Sequence, residues 1–206
     1  VTTKQDHFAG RAADWDKVAM RVENVENIAR AMRRQIRFAH GMHLMDFGSG
    51  TGLLLERIAP LVGRITAVDT SQAMNEQLAE KRGRLPCELD IVQEDLLTSD
   101  LGQFFDGIIS SMTLHHVEDI GRLFRVFFDR LKPGGFIALA DLDSEDGRFH
   151  SDATGVFHHG FDRHELREVA QHAGFDRIEI ETASVIHKPE VDYPVFLLTA
   201  CRPAPE

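Results

Sequence analysis

The stretch His43-Leu-Met-Asp-Phe-Gly-Ser-Gly-Thr-Gly-Leu-Leu-Leu-Glu-Arg57 decides how this chain folds. A short apolar run ending in Asp46 and Phe47 reads as a buried strand. Leu53, Leu54, Leu55, Ile58, Ala59, Leu61 and Val62 read as the apolar positions of a following helix. Between them, Gly48, Gly50 and Gly52 can take positive φ and carry no Cβ, so the backbone turns sharply and a ligand can lie against it. The helix starting there aims N–H groups and the positive end of its dipole at the turn. Strand, glycine loop and helix in that order form a nucleotide-type cradle.

Beyond the cradle, Gly63-Arg-Ile-Thr-Ala-Val-Asp-Thr-Ser71 reads as a second strand ending in an acid. A carboxylate there, about 20 residues past the loop, is placed to accept hydrogen bonds from both ribose hydroxyls. Asp69 is the residue for that role; the alternative, a charge favouring the next helix, is weaker because Ser71 is available as the cap. A helix over 72–81 follows, with Met74 and Leu78 inward. Gly83 and Pro86 then break the chain before a third strand over 89–96.

Phe105-Asp-Gly-Ile-Ile-Ser-Ser-Met-Thr-Leu-His115-His116 carries little charge around Ile108 and Ile109, as a central strand covered on both faces does. Its carboxyl end is where an open α/β sheet places ligands. His115 reads either as a proton acceptor near neutral pH or as a structural bond closing the loop. His116 is expected to point the other way, toward the next helix. Two adjacent histidines without a further well-spaced ligand do not make a metal site.

The helix over 120–131 presents Leu123, Phe124, Phe127, Phe128 and Leu131 as a core face and ends at Lys132-Pro-Gly-Gly135, before a fifth strand over 136–142. Asp141, Asp143, Glu145 and Asp146 read as a solvated loop, or as ligands of a divalent or cationic species. Residues 150–159 read as a mobile substrate lid, with His158 and His159 as candidate pocket residues. Asp162 and Glu165 form a capping pattern for the helix after them. Two strands, over 175–186 and 193–201, suggest an edge hairpin. At the amino end, Trp15 reads as an anchor, and apolar spacing places a helix over 22–39, ended by Gly41.

The chain has 206 residues, 43% of them hydrophobic, which suits one domain with a two-sided sheet core. Its 33 acidic against 23 basic residues disfavour nucleic acid and anionic membrane as partners. The run Arg30, Arg33, Arg34, Arg37 reads as a solvated helix face or a substrate-steering patch. Cys87 and Cys201 suggest neither zinc site nor disulfide framework. With no apolar run near the roughly 20 residues that span a bilayer and a charged amino-terminal segment, the expectation is a cytoplasmic protein that is not membrane-bound.

The spacing Gly-x-Gly-x-Gly departs from the Gly-x-Gly-x-x-Gly of dinucleotide folds. Leu44-Met-Asp46-Phe-Gly48-Ser-Gly50-Thr-Gly52 resembles the first motif of the class I S-adenosylmethionine-dependent methyltransferases. Ser111-Met-Thr-Leu-His115-His116 resembles their fourth motif in its small-molecule form, without the Asn/Asp-Pro-Pro-Tyr of nucleobase amino methylation. Leu131-Lys-Pro-Gly-Gly-Phe-Ile resembles a later architectural motif.

The resemblance implies an α/β three-layer sandwich with a mostly parallel seven-stranded sheet and an antiparallel C-terminal strand. It implies one domain over 1–206: a helical cover to 40, a cofactor core over 41–142, then a substrate loop, helix and hairpin. Phe8 and Trp15 would then help the cover exclude water.

The cofactor implied is S-adenosylmethionine, leaving as S-adenosylhomocysteine. Asp46, Gly48, Ser49, Gly50 and Gly52 would lie at its methionine end, Asp69 and Thr70 at the ribose, Met74, Asp95 and Leu96 at the adenine, and Ser111 beside it. The acceptor would be a small molecule, with His115 as candidate catalytic residue and no metal. A non-catalytic cofactor-binding module and a nucleotide-dependent oxidoreductase are the alternatives.

Overall fold

The computed structural model describes residue 6, residues 10–150 and residues 154–204. Along the chain run α1 (Ala19–Gln35), β1 (His43–Phe47), α2 (Leu53–Ile58), β2 (Arg64–Val68), α3 (Gln72–Lys81), β3 (Glu88–Val92) and β4 (Phe105–Ser111). There follow α4 (Ile120–Arg130), β5 (Leu131–Leu142), α5 (Arg163–His172), β6 (Asp176–His187) and β7 (Asp192–Cys201). Short 3-10 turns at Ala12–Lys17 and Leu114–His116 matter for the site.

The strands form one seven-stranded sheet in the order β3-β2-β1-β4-β5-β7-β6. β1 to β5 pair in parallel, and β7 runs antiparallel to both β5 and β6. Central parallel strands are covered on both faces, which is why their residues form continuous apolar runs. Alternate side chains then serve opposite layers. Leu44 and Ile109 join α1, α2 and Leu78 on one face, while Met45 and Ile108 join α4 and α5 on the other. The aromatic stripe of α4 is core: Phe124 and Phe127 are fully buried, Phe127 standing edge-on to Phe47 at 5.2 Å and Phe124 to Phe175 at 6.3 Å.

Several boundaries differ from the sequence expectation. α2 ends at Ile58 and gives way to a 3-10 turn at Ala59–Leu61, so Leu61 and Val62 lie beyond it, Val62 already extended. α1 starts at Ala19 and stops at Gln35, well short of Gly41, because Ile36 is already extended. There the chain leaves the helix so that Phe38 can pack edge-on against Phe136 at 5.9 Å. β3 ends at Val92, and Asp95 lies in a turn whose Leu97 N–H it accepts at 3.1 Å. Pairing into β5 begins at Leu131, opposite Phe105, and resumes at Phe136 after a bulge. Arg202 clamps that bulge from both sides, accepting from Gly134 N at 3.0 Å and donating to Gly135 O at 2.8 Å.

Arg30, Arg33, Arg34 and Arg37 are solvent-exposed, Arg34 reaching Glu181 at 3.2 Å, so the solvated-face reading holds. Both cysteines are free. Among the described residues no helix is long and apolar enough to cross a membrane. The sheet order reverses between β1 and β4, so the loops leaving their carboxyl ends diverge and open a crevice.

Candidate active site

The glycine loop after β1 folds over the end of β2. Gly48 N–H donates to Val68 O at 2.8 Å, Ser49 N–H to the same carbonyl at 3.3 Å, Gly50 N–H to Asp69 Oδ2 at 2.8 Å and Gly52 N–H to Ser49 O at 2.9 Å. These four donors of the loop are spent inside the protein; the N–H groups that open α2, which the sequence reading aimed at the turn, are a separate set. What the loop offers is close approach. Gly50 sits at φ +53 with nothing within 4 Å of where a Cβ would stand. Gly48, at φ +66, lies under Thr113, whose methyl group would be 2.1 Å from such a Cβ. A side chain at either glycine is excluded, by strain at one and by strain and collision at the other.

Around this loop, buried polar atoms lack partners within the protein. Asp46 Oδ2, Ser49 Oγ and Ser111 Oγ are sealed and unbonded, as is Asn75 Oδ1 in α3. Native proteins leave few such atoms, and each calls for a partner. Asp46 carries the largest consequence: burial first, and the charge of Asp69 second, push its carboxyl up to about 8.

Asp69 follows β2 directly. Its Oδ1 accepts from Ser71 N at 2.8 Å and its Oδ2 from Gly50 N. Burial raises its pKa, against the N–H groups of Ser71, Gly50 and Thr70 that favour the ionised form. Each carboxylate oxygen has a second lone pair, so both can still accept a hydroxyl. Ser71 is the N-cap of α3, accepting from Met74 N at 3.2 Å, so the helix needs no charge from Asp69. The Met74 and Leu96 side chains are buried, Leu96 within the layer under α4. The structure therefore brings Asp46, the glycine loop, Asp69 and Ser111 together at one crevice; Asp95 lies three residues beyond the end of its strand.

Past β4, Met112 takes φ +56, a left-handed conformation that costs a residue with a Cβ free energy and is met mostly at functional sites. It swings Thr113 over the loop, with Thr113 Oγ1 donating to Gly48 O at 3.3 Å, and delivers His115 into the interior. His115 is 2% exposed. Its Nδ1–H donates to Asp141 Oδ1 at 2.7 Å and its backbone N–H to Asp141 Oδ2 at 3.2 Å. Burial would raise Asp141, yet the His115 ring and the N–H groups of Leu142 and His115 outweigh it and hold the carboxyl below its usual value.

His116 does not turn toward the helix, as its position in sequence suggested. Its ring lies 4.1 Å from that of His115, and its Nδ1–H donates to Gly155 O at 2.7 Å, across to the loop after β5. That loop is tied down elsewhere too: Phe157 N–H donates to His115 O at 2.9 Å and His158 Nε2–H to Val117 O at 2.9 Å. His159 faces Glu145 at 3.5 Å. The acidic cluster disperses: Asp141 serves His115, Asp143 forms a two-pronged pair with Arg163 at 2.7 Å, and Asp146 pairs with Arg148. Among the described residues no three His, Cys, Asp or Glu converge as a metal site requires.

The amino-terminal turn Ala12–Lys17 docks on the cradle. Thr51 Oγ1 donates to Asp16 Oδ1 at 2.5 Å, and Lys81 Nζ donates to Asp16 Oδ2 at 2.6 Å and Glu56 Oε2 at 3.0 Å. Asp6 Oδ2 accepts from Ser71 Oγ at 2.9 Å. Trp15 stacks under Arg21, 3.8 Å from ring centre to guanidinium, while Phe8 lies outside the described residues. Lys81 and the contacts of Asp16 had no signal in the sequence, and Thr113, Asp141 and His150 were noted there without the partners the structure gives them, because each acts through a residue distant along the chain.

Comparison with known proteins gives these features a context. A family described as "Methyltransferase domain" matches residues 19–180. An uncharacterized methyltransferase of Schizosaccharomyces pombe is 32% identical over 136 residues, 58% of this chain and 48% of that one. A ubiquinone biosynthesis O-methyltransferase of a Caulobacter species is 33% identical over 106 residues, 50% of this chain and 42% of that one. The chain thus spans less than half the length of these curated relatives. Haemonchus contortus phosphoethanolamine N-methyltransferase 2, solved with phosphomonomethylethanolamine and S-adenosylhomocysteine, superposes with a TM-score of 0.70 at 17% identity, covering 86% of this chain and 52% of that one. At that identity the likeness is one of fold.

Proposed function

The chain belongs to the class I S-adenosylmethionine-dependent methyltransferases, and from that premise we propose that the crevice at Gly48–Gly52 binds S-adenosylmethionine and that its methyl group passes to a small-molecule acceptor. The observation that carries the site assignment is the ring of sealed, unpartnered atoms, Asp46 Oδ2, Ser49 Oγ and Ser111 Oγ, around a loop open above Gly50. The spacing Gly-x-Gly-x-Gly, against the Gly-x-Gly-x-x-Gly of dinucleotide folds, supports the same choice.

Bound there, the cofactor supplies a methyl group on a sulfonium, an activated leaving group. Asp46 would face its ammonium, Asp69 and Thr70 its ribose, and Met74, Asp95 and Leu96 its adenine. The residues over 1–40 would cover the cofactor core of 41–142, with the remainder facing the acceptor. His115, oriented by Asp141, would stand at the floor of the acceptor chamber. The protein's task is then to align the acceptor and exclude water.

Calorimetric titration with S-adenosylmethionine and S-adenosylhomocysteine, with a nicotinamide dinucleotide as control, tests this. Binding of the two sulfur compounds alone is expected. Asp69→Ala, in a variant shown by its melting curve to be folded, should weaken both by about 100-fold, since two hydrogen bonds to a charged group are lost. Unchanged affinity removes Asp69 from the ribose site.

A further inference from the structure

Three imidazoles form one stack beside the crevice. Ring centres are 4.1 Å apart for His115 and His116, 4.7 Å for His115 and His150, and 6.1 Å for His116 and His150. Two are engaged, His115 through Nδ1 on Asp141 and His116 through Nδ1 on Gly155 O. His150 differs, for its Nε2 is sealed from solvent and meets no hydrogen-bond partner in the protein. A buried nitrogen in that state costs free energy unless something arrives to bond it. Its ring is fixed edge-on by Phe149 at 4.8 Å, and Phe149 by Tyr193 at 5.1 Å, with the Lys188 ammonium donating to Phe149 O. The stack stands two residues past Thr113, which touches Gly48, so it borders the cofactor cradle.

Resting on the assignment of this crevice to methyl transfer, we propose that His150 takes the proton from the acceptor and that the acceptor atom is the oxygen of an alcohol or phenol. The acceptor oxygen gives a lone pair to the methyl carbon as the carbon–sulfur pair returns to sulfur. Its proton passes to His150 Nε2, leaving a methyl ether, a neutral thioether and one imidazolium, which gives up the proton once the products have left and water reaches Nε2. Asp141, one ring away, stabilises that imidazolium, and His115 is the positioning residue between them.

The surroundings choose oxygen over nitrogen. Asp141 is spent, Oδ1 on His115 and on Leu142 N–H, Oδ2 on the His115 N–H. Glu145 accepts from Phe149 N–H through Oε2, while its Oε1, buried and without a hydrogen bond, stands 3.5 Å from His159 Nδ1. The cation that acts on the stack is Lys188, so an ammonium finds repulsion there. Burial first, then the His115 and His116 rings, and last Lys188, push His150 down to about 4, with Asp141 acting in the opposite sense. A base that weak does not deprotonate an alkylammonium, whose pKa is about 10. It does accept from an oxygen that becomes strongly acidic as it gains a methyl group.

The test uses the whole chain with S-adenosylmethionine and two matched panels, alcohols and phenols against amines and thiols, with S-adenosylhomocysteine release as readout. Turnover of oxygen acceptors is expected. His150→Ala should lower kcat by about 100-fold or more with little change in KM or in S-adenosylhomocysteine affinity, and His150→Gln should not rescue it. Independently of turnover, proton NMR should show an imidazole titrating at about 4, lost in His150→Ala. Turnover confined to amines or thiols, or full kcat in His150→Ala, overturns the proposal and leaves the methyltransferase reading intact. Cofactor binding with silence from both panels overturns it together with the acceptor part of that reading, and absence of cofactor binding overturns the premise itself.

Discussion

Asp46 is the residue at which binding and protonation meet. Its folded-state pKa, about 8, lies far above the roughly 3.9 of an unfolded carboxyl. Between those values the folded protein holds a proton that the unfolded chain has lost, so this group's contribution to stability falls as pH rises through the window and is worst above it. Asp46→Asn should therefore raise the stability of the unliganded protein at pH 8 by on the order of 2 kcal/mol and have little effect near pH 4. Denaturant unfolding at the two pH values checks the sign. On the proposed placement of Asp46 at the cofactor's amino group, that ammonium would reverse the balance and drive the proton off. Titrations at pH 7 in buffers of different ionisation enthalpy should then show about one proton released, and buffer-independent enthalpies would place Asp46 away from the amino-acid end.

At the level of elements, the site is assembled by joints between segments far apart in sequence. Lys81, at the end of α3 and 8% exposed, holds Asp16 of the amino-terminal turn and Glu56 of α2. Lys81→Met keeps the stem and removes the charge. It should cost about 1–2 kcal/mol, since its partners are partly solvated, and should speed protease cleavage near residues 10–18 while the rest of the chain stays resistant. Features carried by neighbours were legible in the sequence: the Gly48–Gly52 turn, Ser71 capping α3, and Asp162 capping α5 through the His164 and Glu165 N–H groups. The pairing of His115 with Asp141 and the closure of Thr113 over Gly48 were not, because periodicity reports which face a residue occupies and not which distant residue it meets there. The acceptor of the Gly48 and Ser49 N–H groups was hidden for the same reason: Val68 O sits at the end of another strand.

For the molecule as a whole, stability rests on two apolar layers, one on each face of the sheet. Phe124 lies in the layer under α4, wholly buried and 6.2 Å from the ring of Phe127. Phe124→Ala should cost about 3–5 kcal/mol and lower the melting temperature by about 10 °C in a chain of this size, with S-adenosylhomocysteine affinity retained in the folded fraction. The strand order was legible as far as a terminal hairpin at the sheet edge. That the last strand would lie inside that hairpin, against β5, required knowing which of the two is apolar on both faces, and the unbroken buried run Val195 to Ala200 is the trace of it.

This placement has a consequence for how the protein is made. β7 is the last strand synthesised, yet it lies between β5 and β6. Until residues 192–201 have left the ribosome, β5 presents a naked hydrogen-bonding edge and β6 has no strand to join. Nascent chains therefore pass through an interval in which a half-built sheet can capture a neighbour's strand, and the arrival of the ten residues of β7 closes that hazard.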